Sequence, residues 1–103
     1  MDEQLAKLIE HLNQYKTSYE HFGVTVGKSY YKIVIMNTET NKPASAYAFV
    51  VRHDFRTRTL GKCNKGDIHK PAGWSQPAKH ARGSLFDEST WGCCGRYGVM
   101  SLK

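Results

Sequence analysis

The segment YYKIVIMNTETNKPASAYAFVVRH, residues 30–53, decides the fold. It contains two runs rich in β-branched and aromatic residues, Tyr30–Met36 and Ser45–His53. Such runs favour β-strands, and the polar residues between them, Asn37–Pro43, are typical of a hairpin turn. The segment therefore predicts two adjacent antiparallel strands.

Both predicted strands are mainly apolar on both faces. Successive side chains of a strand alternate between the two faces of a sheet. We expect a helix to cover one face and later parts of the chain to cover at least part of the other. The predicted faces are Tyr31, Ile33 and Ile35 in the first strand, and Tyr47, Phe49 and Val51 against Ala46, Ala48 and Val50 in the second.

The segment before these strands, residues 2–22, has helical periodicity. Its apolar residues recur at steps of three and four, which is typical of an amphipathic helix with one buried stripe. Asp2 and Glu3 suit the positive N-terminal end of a helix, and Gly23 is a common helix-ending residue. The pattern predicts a helix over residues 2–22 with the stripe Leu5, Leu8, Ile9, Leu12, Tyr15, Tyr19 and Phe22.

After the second strand, the sequence predicts a basic hairpin tip at Asp54–Thr59 and a third strand near Thr59–Cys63. Asn64–Gly66 is a strong turn signal, and a short returning strand, Asp67–Lys70, would follow it. Pro71 cannot donate a hydrogen bond to a sheet, so we expect the ladder to end there.

A short helix is expected after the sheet. Ser75 is a typical N-cap residue, Pro77 fits the first turn, and Gly83 would end the helix. In a helix, Lys79 and Arg82 would point from one face because they are three residues apart. The complete prediction is a single α+β domain, residues 1–103, in which an N-terminal amphipathic helix packs on a small antiparallel sheet of three to five strands.

The positive charge lies in the second half of the chain. The net charge is +6, and eight Lys or Arg residues fall between Arg52 and Arg82 against two acidic residues there. A one-sided basic region suggests an anionic partner, with nucleic acid first. The alternative is a generally basic surface without a specific partner.

The sequence also predicts a compartment. Charged residues interrupt the apolar residues at the start of the chain, so we expect no secretion signal. No apolar run approaches the roughly 20 residues that cross a membrane, so we expect no membrane partner. The three cysteines are odd in number, and Cys93 and Cys94 are adjacent. This pattern is not a disulfide framework, and it favours the cytoplasm.

Cations surround one tryptophan in the segment after the second strand. Lys and Arg neutralise phosphates, and Trp74 would stack on an unpaired base or act as a core plug that fixes its loop. The alternative for Lys70, Lys79 and Arg82 is local bonding to Asp67, Asp87 or carbonyl groups. The predicted anion-binding residues are Lys70, Trp74, Lys79, His80 and Arg82, extended by Arg52, Arg56 and Arg58.

Metal and catalytic sites are not predicted. The possible metal ligands lack the paired spacing of zinc sites, and the carboxylates and histidines of a small nuclease have no defined geometry here. No phosphate-binding loop or dinucleotide fingerprint is present. We therefore expect no cofactor and no metal. The sequence favours a protein without enzyme activity but leaves that question open. The possible metal ligands are Cys63, His69, His80, Cys93 and Cys94.

The segment 66–83 resembles a stretch in a family of small bacteriophage proteins. Its pattern is Gly-Asp-(Ile/Val)-x-Lys-(Pro/Ala)-Ala-x-Trp-x-x-Pro-Ala-Lys-x-x-Arg-Gly, and the resemblance extends over roughly residues 30–87. The insertion between Val51 and Gly66 is longer and more basic here. The matching residues are Gly66, Asp67, Ile68, Lys70, Pro71, Ala72, Trp74, Pro77, Ala78, Lys79, Arg82 and Gly83.

The resemblance implies a phage origin and a host-cytoplasm setting, and it implies no mechanism. The basic face is compatible with two functions from different classes. One is a nucleic-acid-binding module that uses the face from Arg52 to Arg82. The other is a phage effector that binds and inhibits an acidic host protein through the same basic face. The sequence does not decide whether the partner is DNA or RNA, and it does not give the oligomeric state.

Overall fold

The structure is a computed structural model that describes residues 3–15, 17–58, 60–74, 76–95 and 98–99, with side chains as far as residue 91. Its helical elements are α1 (Glu3–Leu12) and two 3-10 turns, Asn13–Tyr15 and Glu88–Cys93. Its strands are β1 (Glu20–Val26), β2 (Tyr30–Asn37), β3 (Lys42–Val51), β4 (Phe55–Thr57), β5 (Gly61–Cys63), β6 (Asp67–Pro71), β7 (Pro77–Ser84), β8 (Cys94–Gly95) and β9 (Gly98–Val99).

Five strands form the main sheet in the order β1-β2-β3-β6-β7, and all neighbours are antiparallel. The predicted α+β class is therefore confirmed, and so are the strands at residues 30–36 and 67–70. As predicted, β6 ends at Pro71. No helix in the described ranges is long and apolar enough to span a membrane.

Helix α1 packs on one face of this sheet. Leu5, Leu8 and Leu12 are fully buried and contact a cluster from the sheet. Phe22 and Tyr47 meet edge to face there, with ring centroids 4.9 Å apart. The other buried members of this cluster are Ile33, Ala48, Val50, Ile68, Leu85 and Trp91.

The N-terminal helix is shorter than the prediction of residues 2–22. The Thr17 hydroxyl accepts hydrogen bonds from the amides of Tyr19 and Glu20, each at 3.1 Å, and the chain turns there into β1. Phe22 pairs with Ile35 in the sheet, and Tyr19 is 77% exposed instead of joining the stripe. The pairing of β1 with β2 extends over seven residues. It supplies backbone hydrogen-bond partners along the edge of β2, so this segment is a strand despite its helical spacing.

A β-bulge changes the predicted faces of the second strand. Ile33 pairs with Ala48 while Val34 pairs with Ala46, so Tyr47 is an extra residue in β3. Tyr47 consequently enters the same core as Ala48 and Val50. The prediction that Tyr47 shares a face with Phe49 is wrong.

The predicted helix after Ser75 is also wrong, because residues 77–84 form strand β7. Ser75 itself lies outside the described residues. An isolated helix of two turns is marginal in water, whereas β7 gains backbone pairing along the free edge of β6. A helical turn does follow the sheet, at Glu88–Cys93. Lys79 and Arg82 thus do not lie on a helix.

The β4–β5 hairpin is an excursion between neighbouring strands β3 and β6. The predicted third strand near Thr59–Cys63 corresponds to β5, which pairs with β4 in a separate two-stranded sheet. The excursion is closed at its base, where the Gly66 amide donates to the Val51 carbonyl at 2.8 Å. Gly66 has φ +91°, and an added Cβ would lie 2.5 Å from the Phe86 ring.

Candidate nucleic-acid interface

One row of side chains crosses the sheet on the face opposite α1. Lys32 pairs with Phe49, Phe49 pairs with His69, and His69 pairs with Ala81. Residues adjacent to this row, such as Ile33 and Val50, lie in the α1 core, so alternation places the row on the other face. Phe49 and His69 are only 3% and 2% exposed, so this face is also covered.

The β6–β7 loop covers part of this cross-sheet row. The amides of Ala72 and Gly73 donate to the Gln76 carbonyl at 2.8 and 3.2 Å, which closes the loop. Trp74 follows β6, yet the Lys32 ammonium on β2 lies 3.3 Å from the centroid of its indole. The indole therefore reaches over β3, and Trp74 is still 49% exposed. Both predicted roles of Trp74, fixing the loop and offering a contact surface, are compatible with this position.

The environment of Lys32 affects the pKa of its amine. Desolvation lowers the pKa of the Lys32 amine from its ordinary value. The amine also lies 6.0 Å from the centroid of the Phe49 ring. Lys32 was not among the residues that sequence reasoning selected. Its position in a strand gave no signal that a loop from a distant part of the chain would contact it.

A series of ring contacts links the Trp74 region to the β4–β5 hairpin. Tyr30 meets Phe49 at 5.7 Å and Phe55 at 5.5 Å, both edge to face. His53 lies 5.5 Å from Phe55. Burial, and then the nearby Cys63, raises the pKa of the Tyr30 phenol. The hairpin is thus anchored to the sheet through Phe55.

The outer side of the hairpin is basic. Phe55 pairs with the buried Cys63, and the next pair, Arg56 with Lys62, is exposed. Arg58 is exposed in the turn that follows β4. Like charges directly opposite each other destabilise a sheet. Within the described part of the chain, no carboxylate forms an ion pair with Arg56, Arg58 or Lys62.

The two acidic residues near the hairpin have backbone partners. Asp54 accepts a hydrogen bond from the Lys65 amide at 2.7 Å, and Asp67 accepts one from the Asn64 amide at 3.0 Å. These carboxylates therefore shape the turns at the base of the hairpin. Lys62 completes the basic side and was missed by sequence reasoning, because only the register of the hairpin places it opposite Arg56.

Arg52 lies apart from the hairpin cations. Its guanidinium donates to the carbonyls of Gly27 and Lys28 and lies 5.2 Å from the centroid of the Tyr31 ring. Its amide donates to the Ser29 carbonyl at 2.9 Å. Arg52 therefore holds the β1–β2 turn in place, which is a role that the sequence did not predict.

The other predicted residues lie on β6 and on the edge strand β7. Lys70, Lys79 and His80 are exposed, and Arg82 is half-buried. Between the pairs Asp67–Ser84 and Pro71–Pro77, β7 advances seven residues while β6 advances four. Lys79 and Arg82 therefore lie on an irregular strand. None of the contacts described above between Trp74 and the hairpin involves these four residues.

The possible metal ligands are dispersed. In the described ranges, no three His, Cys, Asp or Glu side chains come together as a metal site. His69 Nδ1 donates to the Ala78 carbonyl at 2.8 Å. Cys63 is a free, buried thiol, and its pKa is raised by burial and by Asp67. The side chains of Cys93 and Cys94 lie outside the described residues, so their free state remains a prediction.

Comparison with known proteins gives one match. The model of a family of unknown function, DUF7717, matches residues 1–97. No curated protein matches the chain, and no solved structure matches it.

Proposed function

The chain belongs to this family of unknown function, and we propose from its own geometry that it binds the backbone of nucleic acid through the β4–β5 hairpin and Trp74. The observation that carries the proposal is the exposed cross-strand pair of Arg56 and Lys62, with Arg58 in the adjoining turn. This arrangement is unfavourable in the free protein and becomes favourable when an anion neutralises it.

The spacing of the charges supports a phosphate ligand. Directly opposed residues of a two-stranded sheet have Cβ atoms about 4.5–5.5 Å apart, which is inside the screening length of about 8 Å at physiological salt. Their fields therefore add. Lys and Arg side chains that contact phosphates displace the mobile counterions of the nucleic acid. The release of those counterions drives binding.

Trp74 supports nucleic acid over other anions. Its indole is half exposed, and its position is fixed by Lys32. A base stacked on an aromatic side chain typically contributes about 1–3 kcal/mol. A basic hairpin and such a ring on one domain provide the two kinds of contact that a nucleotide chain needs, charge for the phosphates and a flat surface for a base. Contacts through Lys32, Phe49, Tyr30 and Phe55 connect the two.

The test is fluorescence anisotropy with labelled single-stranded and duplex oligonucleotides at several salt concentrations. The double variant Arg56→Ala, Lys62→Ala should bind more weakly, and its log–log salt slope should fall by up to about 1.4–1.8 units if both cations contact phosphates. The matched control is Lys7→Ala, Lys42→Ala, which removes two exposed cations from α1 and the start of β3 and should keep the wild-type slope.

Two outcomes would contradict the proposal. Equal losses in both double variants would mean that net charge, and not the hairpin, determines binding. An absence of wild-type binding at low salt would end the nucleic-acid interpretation. The remaining candidate would then be the phage-type effector of an acidic host protein, which a pull-down from lysate treated with nuclease would test.

A further inference from the structure

A small cavity lies beside the β1–β2 turn and is called the turn pocket below. Its volume is about 250 Å³, and it is lined by residues 25–30 together with Lys32 and Phe49. Ligand pockets for drug-sized molecules begin at about 300 Å³. The turn pocket therefore suits a smaller group, about the size of one unit of a polymer.

The lining of the turn pocket combines charge with aromatic surface. Lys28 and Lys32 supply two amines, Tyr30 supplies a phenol, and Phe49 supplies a second ring. Among the residues that the structure describes, no acidic one belongs to the lining. The Tyr30 hydroxyl is protonated at neutral pH and is available as a donor. An anion with a flat apolar part matches this combination of groups.

The turn that forms one wall is held in place before any ligand binds. The Gly27 amide donates to the Tyr30 carbonyl at 2.9 Å, and the guanidinium of Arg52 binds the carbonyls of Gly27 and Lys28. A preformed wall reduces the conformational entropy that binding would otherwise cost. Arg52 thus contributes to the pocket without lying in its lining.

The turn pocket adjoins Trp74 through a shared residue. Lys32 lines the pocket, and its ammonium contacts the Trp74 indole at 3.3 Å from the ring centroid. A nucleotide seated in the pocket would therefore have a second exposed aromatic surface next to it. Successive bases of one strand stack on successive aromatic side chains in many single-strand binding sites.

We propose that the turn pocket binds one nucleotide unit of a single-stranded nucleic acid, with its phosphate between Lys28 and Lys32 and its base against the half-buried Tyr30 ring. The proposal rests on the proposed function and adds its substrate class. A base that is paired and stacked inside a duplex cannot enter such a cavity unless it is flipped out of the stack. The site therefore selects single strands, while the hairpin contacts the backbone of either form.

The direct test is an amide chemical-shift titration of the ¹⁵N-labelled protein with a nucleoside 5′-monophosphate, with inorganic phosphate, and with the uncharged nucleoside. The monophosphate should shift the amides of Gly27–Tyr30 and Lys32 at lower concentration than either other probe. If inorganic phosphate shifts these amides at the same concentration as the monophosphate, the pocket binds an anion and does not recognise the base, which would overturn the proposal. So would an absence of shifts at these residues.

A variant test separates this proposal from the function on which it rests. Lys28 is exposed, and Lys28→Ala should weaken single-strand binding by about tenfold, the usual loss for one charge-assisted contact, with duplex binding nearly unchanged. Tyr30→Phe keeps both ring contacts and removes the donor, and should act in the same direction. The control Lys42→Ala should leave both affinities unchanged.

The two failures are distinguishable. If no oligonucleotide binds the wild-type protein, the proposed function fails. A different result would overturn only the single-strand pocket. In that case oligonucleotides bind the wild type and the hairpin variant binds them more weakly, but Lys28→Ala lowers the affinities for single strands and duplexes equally, or lowers neither.

Discussion

Lys32 and Trp74 form a cation–π contact across the sheet, with the Lys32 ammonium 3.3 Å from the centroid of the indole. Lys32 lies on β2, and Trp74 lies in the loop that follows β6, with β3 between them. The contact therefore fastens the β6–β7 loop to the face of the sheet that α1 does not cover. It also lets one residue, Lys32, belong to both the loop contact and the turn pocket.

The first prediction concerns this contact. Lys32→Met and Trp74→Leu, made singly and together, should show a coupling free energy of about 0.5–1 kcal/mol, or up to about 2 kcal/mol if the pair is well desolvated. Urea denaturation of the four proteins measures it. Lys79→Met in place of Lys32→Met is the matched control and should show no coupling with Trp74. Additive losses of unfolding free energy for Lys32→Met and Trp74→Leu would show that this contact does not stabilise the loop.

The second prediction concerns the core beneath α1. Leu8→Ala and Leu12→Ala should each lower the free energy of unfolding by about 2–5 kcal/mol, because both side chains are fully buried. Thermal and urea denaturation measure the effect. Tyr19→Ala, outside the helix and 77% exposed, should change stability little. Comparable losses at Tyr19 would favour the longer helix that the sequence pattern predicted.

The third prediction separates two arginines that the sequence grouped together. Arg52→Ala should cost about 1.5–3 kcal/mol of unfolding free energy, because its guanidinium donates to two carbonyls of the β1–β2 turn. Arg58→Ala removes the same charge from an exposed turn and should change stability by no more than about 0.5 kcal/mol. Arg58→Ala should instead weaken oligonucleotide binding. Equal stability for the two variants would contradict the structural role of Arg52.

The fourth prediction concerns alkaline pH. Burial raises the pKa of Cys63 above its ordinary value of 9.0, so the thiol ionises earlier in the unfolded chain than in the folded protein. The unfolded state then binds fewer protons, and this thiol's contribution to stability is full below about pH 9 and is lost as pH rises further. Stability should therefore fall less steeply from pH 8 to 10 in Cys63→Ala than in the wild type. Urea denaturation at each pH compares the slopes, and parallel slopes would show that Cys63 is not shielded.

Local sequence patterns predicted some elements of the fold correctly. Strands β2 and β3 follow from β-branched composition and from the polar turn between them. The end of α1 does not follow from local sequence, since Tyr19 and Phe22 fit helical spacing. Phe22 instead pairs with Ile35 in the sheet, a contact that local sequence does not show. Strand β7 was missed for the same reason, because its partner is β6 and its own residues carry helix signals.

The candidate site was predicted in part. Sequence reasoning selected Arg56, Arg58 and Trp74, because charge and aromatic composition are visible without a fold. It missed Lys28, Lys32 and Lys62, whose proposed roles depend on hairpin register and on a loop that reaches across β3. The helix that was expected to place Lys79 and Arg82 on one face is a strand, so the reason for that expectation does not hold.

The hydrogen bond between the Gly66 amide and the Val51 carbonyl makes residues 52–65 a closed unit, which Arg52 and Phe55 attach to the β1–β2 turn and to Tyr30. Strands β3 and β6 already meet at its base, so the length and charge of this unit can change without altering the register of the five-stranded sheet. Gly66 is the fixed point, since any side chain there would collide with Phe86. Substituting the tip of the hairpin is therefore a way to change the charge of this surface, with the five-stranded sheet left intact.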